Sequence, residues 1–235
     1  MDLLTEFKTY LVTEKGASAN TVASYMRDIT QYVHYLGEDD RQVLGATSEC
    51  IEAYRKQLLK MGKSAATVTR ALASLKCLYR WLQQKGRCPE NPAKGVKAEK
   101  VERKLPQILS NQEVELLLEQ PRCVDDKGFR DHAMLEVLYA TGIRVSELIS
   151  LNLDDVNLTS GYLVCMGKKK SRIIPLYPGA IRALSDYLKN IRPHLVAPGE
   201  RALFVNMNGA RMSRQGFWKL VKYYQEKAGI QTEIT

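Results

Sequence analysis

In this chain of 235 residues, two cationic features have the residue types for phosphate chemistry. One is Arg144, inside "YATGIRVSELISLNLDDV"; the other is the run Lys168, Lys169 and Lys170 in "GYLVCMGKKKSRIIPL". A guanidinium can clamp two non-bridging oxygens of a phosphate, and a lysine can add charge or donate a proton. Such groups act most strongly where negative charge grows during phosphoryl transfer. Other catalytic kits are missing: the sequence has no GxxxxGK[ST], no HExxH and no GxSxG. The Gly167–Lys168 pair falls in a hairpin turn rather than between a strand and a helix, which excludes a nucleotide P-loop. Two other readings compete for Arg144. It could pair with Glu147 at i,i+3 on a surface. Alternatively, helix, "TG" and helix could form a helix-turn-helix with "RVSELISLNL" as recognition helix. That helix would carry Leu148, Ile149, Leu151 and Leu153, which look buried, and few groups able to read bases.

Composition narrows the partner. The 35 Lys and Arg outnumber the 26 Asp and Glu, a formal charge of +9 that favours a polyanion. Nucleic acid is the better candidate than a membrane, because no apolar run is long enough to span a bilayer. The start "MDLLTEFKTYLVTEKG" is acidic and amphipathic, unlike a secretory signal, so a cytoplasmic location is expected. Cys50, Cys77, Cys88, Cys123 and Cys165 are odd in number, form no CxxC, and lie far in sequence from His34, His132 and His194. That pattern points to buried reduced thiols, with no metal or cofactor expected.

The elements that must position these cations read as mainly helical with a small β-sheet. In the first hundred residues, "SANTVASYMRDITQYVHYLG", "TSECIEAYRKQLLKMG" and "SAATVTRALASLKCLYRWLQQKG" carry apolar residues at helical spacing. The third is the clearest, with Ser64 as its cap and Val68, Leu72, Leu75, Tyr79 and Leu82 as one stripe. Thr69, Ala73, Lys76 and Arg80 share another face, small and cationic residues that suit either solvent or a DNA backbone. "ENPAKGVKAEKVERKLPQILS" has linker composition, and its charge suits a phosphate backbone as well as a solvated tether. Ser110 and Glu113 then form a capping-box pattern. Further on, "DHAMLEVLYATG" predicts a helix stopping at Gly142, and residues 162–166 and 172–176 predict two strands. "GAIRALSDYLKNI" predicts a helix on Ile181, Leu184, Leu188 and Ile191, "ALFVN" a strand and "NGAR" a turn. "SRQGFWKLVKYYQEKAG" predicts a last helix on Phe217, Leu220, Val221 and Tyr224.

These motifs together resemble the tyrosine recombinases, the phage-integrase family. "ATGIRVSELISLNLDDVNL" is similar to the family's first arginine motif, and "TGIRVSEL" especially to its Xer branch. About twenty-four residues later the family has a β-hairpin lysine in a G-K-x-x-K-x-R-x-x-P context, for which "GKKKSRIIPL" supplies Gly167, Lys168, Arg172 and Pro175. "MSRQGFWKLVKYYQEKAGI" resembles the helix before the second catalytic box, and "YLVTEKGASANTVASYMRDITQYVHYLG" the helical core-binding domain. The resemblance implies a helical, SAM-like core-binding domain over 1–93, a basic linker over 94–106 and an α/β catalytic domain over 107–235. It makes Arg144 a clamp on the scissile phosphate and Lys168 the general acid for the 5′-oxygen, with Lys169 as the alternative. It makes Thr69, Arg70, Lys76, Arg80, Lys100, Arg103, Lys104, Lys169, Lys170, Arg172 and Arg214 the DNA-binding candidates. It implies double-stranded DNA as partner and homo- or hetero-tetramers on that DNA. No metal or nucleotide takes part, since cationic side chains neutralise the phosphorane.

Two departures qualify the match. The hairpin "GKKKSR" lacks the usual glycine after the lysine and is one residue short. The family's second box, His-x-x-Arg followed by a His or Trp and the tyrosine nucleophile, has no counterpart: the histidine contexts are "HYLG", "HAML" and "HLVA". Tyr223 and Tyr224, the last tyrosines, lie upstream of where that box would open. The expectation is a C-terminally incomplete catalytic domain that binds DNA as a monomer in solution without cutting it. A non-catalytic DNA-binding protein is the alternative.

Overall fold

The structure, a computed structural model, describes residues 3–98, 107–167 and 170–234. The chain divides into two compact units, Met1–Lys104 and Leu105–Thr235. The first is a helical bundle of α1 (Leu3–Thr13), α2 (Ala19–Tyr35), α3 (Asp40–Leu44), α4 (Ser48–Lys60) and α5 (Ala65–Gln84). The Ser18 and Ser64 side chains accept the N–H groups of Thr21 and Thr67, meeting donors that a helix start leaves unpaired. Helix α5 is central, with ten buried residues from Val68 to Leu82. Phe7, Leu11, Ile29, Tyr32, Ile51, Tyr54 and Leu58 join it in one core. Tyr32 and Tyr79 share a hydroxyl–hydroxyl hydrogen bond of 2.9 Å, and Tyr79 also reaches the Val43 carbonyl at 3.0 Å. These bonds meet the polar cost of burying the two rings. The expected linker opens as packed chain: Val96 is buried in this core, and Ala98 packs partly against it. Residues 99–106, with Lys100, Arg103 and Lys104, lie outside the described residues.

The second unit has its own core. Helix α6 (Asn111–Glu119) starts at the Ser110–Glu113 capping box, and α7 (Asp126–Thr141) starts at Asp125. After α7 come α8 (Val145–Ser150) and an antiparallel sheet, β1 (Val156–Asn157), β2 (Tyr162–Met166) and β3 (Ser171–Pro175), in the order β1-β2-β3. Strand β2 buries Leu163 and Cys165, the alternate residues that face one side of a pleat. Helix α9 (Pro178–Asp186), a π turn over Tyr187–Ile191, α10 (Arg192–Leu195) and α11 (Arg214–Lys227) complete the unit. Among the described residues the fold is mainly α with one small three-stranded sheet.

Four expectations need correction. Residues 202–206 form no strand; only the isolated bridges Asn152↔Ala202 and Val205↔Arg211 occur there. Their backbone groups pair instead with Leu151, Ala210 and Met212, on segments too short for a ladder. The helix expected over 179–191 widens into a π turn ahead of Pro193, which has no N–H for the helical ladder. Leu153, expected inside, is 39% exposed. Cys123 is exposed, whereas Cys77, Cys88 and Cys165 are buried.

Gly128, in the first turn of α7, sets a packing limit. A Cβ there would lie 1.8 Å from the Arg122 carbonyl oxygen and 3.0 Å from Asp125 Oδ1. Gly128→Ala is therefore expected to destabilise the second unit by about 2–4 kcal/mol through backbone displacement. Urea denaturation followed by fluorescence checks this; an unshifted midpoint contradicts it.

Candidate active site

The arginine of the "TGIRVSEL" segment is positioned by a sharp break. Gly142 ends α7 in the left-handed region (φ 58°), and its N–H donates to the Leu138 carbonyl at 2.9 Å. Without a Cβ, glycine takes this conformation freely. Ile143 then turns into the core, and Arg144 is the N-cap residue of α8. Helix α8 has six residues, too few to be stable alone. Leu148 and Leu151 anchor it in the core, and Arg211 Nη1 donates to the Ile149 and Leu151 carbonyls at 2.9 and 3.1 Å. A helix this short and this committed cannot serve as a recognition helix, which removes the helix-turn-helix reading of Arg144.

Glu147 organises the other end. Its Oε2 accepts the Arg144 backbone N–H at 2.8 Å, closing the α8 N-terminus. The same carboxylate takes a fork from Arg172 on β3, Nη1 to Oε1 at 3.1 Å and Nη2 to Oε2 at 2.9 Å. Arg144 Nη1 reaches Oε1 only at 3.4 Å, and its side chain stays 78% exposed. Glu147 is 12% exposed. The Arg172 fork, helped by the Arg144 N–H, lowers the Glu147 carboxyl to about 2. Arg144, Glu147 and Arg172 line an open cleft of about 740 Å³ with Ser146, Ser150 and Gly167. Two guanidiniums around one carboxylate leave a net positive charge there, matched to an anion. The Gly167 N–H donates to the Lys170 carbonyl at 3.1 Å, and a Cβ on Gly167 would meet that oxygen at 2.6 Å. This glycine therefore permits the close turn at the end of β2. Lys168 and Lys169 lie outside the described residues.

The remaining candidates are scattered across both units. Lys170 is exposed, and Arg214 is the first, exposed residue of α11. On α5, Thr69 donates its hydroxyl to the Ala65 carbonyl, and Lys76 Nζ donates to the Val96 carbonyl at 2.9 Å. Arg80 is exposed. Arg70 is held by the buried carboxylate of Asp28 on α2, Nε to Oδ2 at 3.0 Å and Nη2 to Oδ1 at 2.8 Å. Sequence reasoning missed Asp28 and Arg211, and treated Glu147 only as a neighbour of Arg144. Glu147 was detectable as the glutamate three residues after a helix start; its partner 25 residues away carried no local signal. Among the described residues no group of three or more His, Cys, Asp or Glu is placed to hold a metal ion.

Comparison with known proteins then places the chain. The "Phage integrase family" pattern matches residues 107–235, and "Phage integrase, N-terminal SAM-like domain" matches residues 4–86. The chain belongs to the phage integrase family of tyrosine recombinases. A putative tyrosine recombinase of Caldanaerobacter subterraneus subsp. tengcongensis is 42% identical over 223 residues, covering 94% of this chain and 76% of the relative. Tyrosine recombinases named XerD from Oceanobacillus iheyensis and Staphylococcus epidermidis are 40% and 36% identical, covering 98% and 99% of this chain and 79% and 80% of theirs. The fold is that of a lambda integrase dimer bound to a COC' core site (TM-score 0.74, 19% identity, 98% of this chain and 79% of that one). XerH bound to a palindromic difH substrate gives a TM-score of 0.72 at 19% identity, with 98% and 69% covered.

In this recombinase chain the Glu147 geometry has a pH signature. A carboxyl whose folded value lies near 2 contributes stability that is complete above the ordinary value near 4.5 and is lost as pH falls toward about 2. Glu147→Gln should lower the melting temperature of the second unit by a few degrees at neutral pH, and the gap to wild type should close across that window. A gap unchanged at pH 3 contradicts the ion-pair account.

Proposed function

We propose that this chain is the DNA-gripping portion of an Xer-type site-specific recombinase, with Arg144 as the clamp on the scissile phosphate. One observation carries this reading: a single carboxylate orders two arginines but consumes only one of them. Arg172 is occupied by a two-point fork, whereas Arg144 is fixed through its backbone N–H and keeps an exposed guanidinium on the cleft. A cation held by its main chain is preorganised for the charge that develops on a phosphorane. Lys168, which follows Gly167 in the sequence, is the general acid for the 5′-oxygen leaving group, with Lys169 the alternative. In the full reaction a tyrosine oxygen attacks phosphorus, the 5′-oxygen leaves with a proton, and a 3′-phosphotyrosine holds the strand until a 5′-hydroxyl reverses the step.

The 235 residues hold no His-x-x-Arg pair and no tyrosine beyond Tyr224. Tyr224 is buried with its hydroxyl donating to Asp131 Oδ2 at 3.0 Å, a packing role rather than a nucleophile's, and this stretch of chain is proposed to bind duplex DNA as a monomer without cleaving it. The DNA contacts proposed for Thr69, Arg70, Lys76, Arg80, Lys100, Arg103, Lys104, Lys169, Lys170, Arg172 and Arg214 draw support from the +9 charge. Arg80 and Arg214 are exposed for this role, whereas the Lys76 ammonium already serves a main-chain carbonyl. The proposed setting is the cytoplasm, and the proposed process is resolution of circular chromosome dimers. Relatives named XerD support the Xer-type reading. Assembly on DNA is proposed by analogy with a lambda integrase tetramer bound to a Holliday junction.

Binding of a labelled duplex of about 30 base pairs should weaken at least about tenfold between roughly 50 and 200 mM salt, as phosphate contacts release counterions. A nicked duplex that traps covalent intermediates should give no protein–DNA adduct with this chain. Salt-independent binding, or a covalent adduct, overturns the proposal.

A further inference from the structure

We infer that Arg70 reads a guanine in the DNA major groove and that Asp28 is the residue that positions it; this rests on the DNA-binding reading above. Asp28 sits on α2 with its side chain 4% exposed, a placement that costs a carboxylate much of its hydration. Its two oxygens are met by the Nε and Nη2 edge of Arg70 on α5, with the Ser74 hydroxyl at 3.4 Å. The Arg70 side chain nonetheless remains 41% exposed. The geometry divides the guanidinium in two. Its side edge is bound inward, while its end fork, Nη1 with the outer hydrogen of Nη2, has no protein partner among the described residues.

An end fork held at a fixed angle has the donor spacing for guanine O6 and N7. It also matches two phosphate oxygens, so the surroundings must discriminate. A phosphate contact needs charge but little orientation, and flexible lysines supply it. Here a buried carboxylate offsets the arginine's charge and fixes its plane, which weakens a charge contact and favours a directional one. The flanking residues on the same face are small, Ala66 and Ala73 being exposed one turn away on either side. They let a base edge approach without long side chains in the way. Lys76, further along, is tied to the Val96 carbonyl and does not compete for the same groove position.

The test uses the full chain and a pool of duplexes about 30 base pairs long with a randomised centre, selected for binding. In the winning duplex each guanine is replaced in turn by 7-deazaguanine, which removes the N7 acceptor and leaves the backbone unchanged. Wild type should lose about 5- to 100-fold at one position. Arg70→Lys, which keeps the charge but not the fork, should bind the unmodified duplex more weakly and be indifferent to that substitution. Asp28→Asn should behave in the same way, with far-ultraviolet circular dichroism reporting its fold. If Asp28→Asn does not fold, Arg70→Lys decides alone. An Arg70→Lys chain with the wild-type substitution profile overturns the inference, as does a uniform loss across all sequences with a salt slope reduced by about one, the signature of a phosphate contact. A wild-type chain that binds no member of the pool overturns the DNA-binding reading itself.

Discussion

The Glu147 carboxylate is the point on which the candidate site depends. It touches the start of α8 through the Arg144 N–H and the sheet through the Arg172 fork, so one side chain sets the relation between a helix and a hairpin. The α8 segment could not hold itself in place, since six residues give almost no helical cooperativity. Its apolar side is fixed by Leu148 and Leu151, its far end by Arg211, and its near end by Glu147. The Arg144 guanidinium is left as the exposed tip of a rigid mount. Two positive charges against one negative give the cleft a surplus of one, while Glu147 prevents the arginines from repelling each other apart.

The helical unit repeats this physical device. Asp28 holds Arg70 as Glu147 holds Arg172, in both cases by a two-point fork between elements far apart in sequence. A carboxylate that is nearly buried pins a guanidinium more firmly than a surface pair can, because less water competes for either partner. In each pairing the carboxylate also offsets part of the cation's field. The trade suits recognition, where direction matters, more than bulk attraction, which the remaining exposed lysines and arginines supply.

How much of this was legible in the sequence depended on how local the signal was. The stripe on α5, the Ser64 cap, the Ser110–Glu113 box and the break at Gly142 are decided within one or two turns of chain, and the structure has each of them. The hairpin strands differed by one residue at β3. The strand reading of 202–206 failed because burial alone does not make a ladder; Leu203, Phe204 and Val205 are inside, yet their neighbours are turns. Short α3 escaped because five residues leave no periodicity to read. Within the site, Arg144 was visible from its type and its place at the break. The partners of Arg172 and Arg70 were not, since 25 and 42 residues separate the members of those pairs. The Lys76 acceptor was hidden for the same reason, being a carbonyl 20 residues away.

Arg144, held by Glu147, is proposed to meet one particular phosphate. Equilibrium binding of a duplex series, each carrying a single uncharged methylphosphonate, measures this most directly when run on wild type and on Arg144→Ala. At one backbone position neutralisation should weaken wild type but leave the Arg144→Ala chain unchanged. Losses that simply add at every position, with no such coupled phosphate, would contradict it.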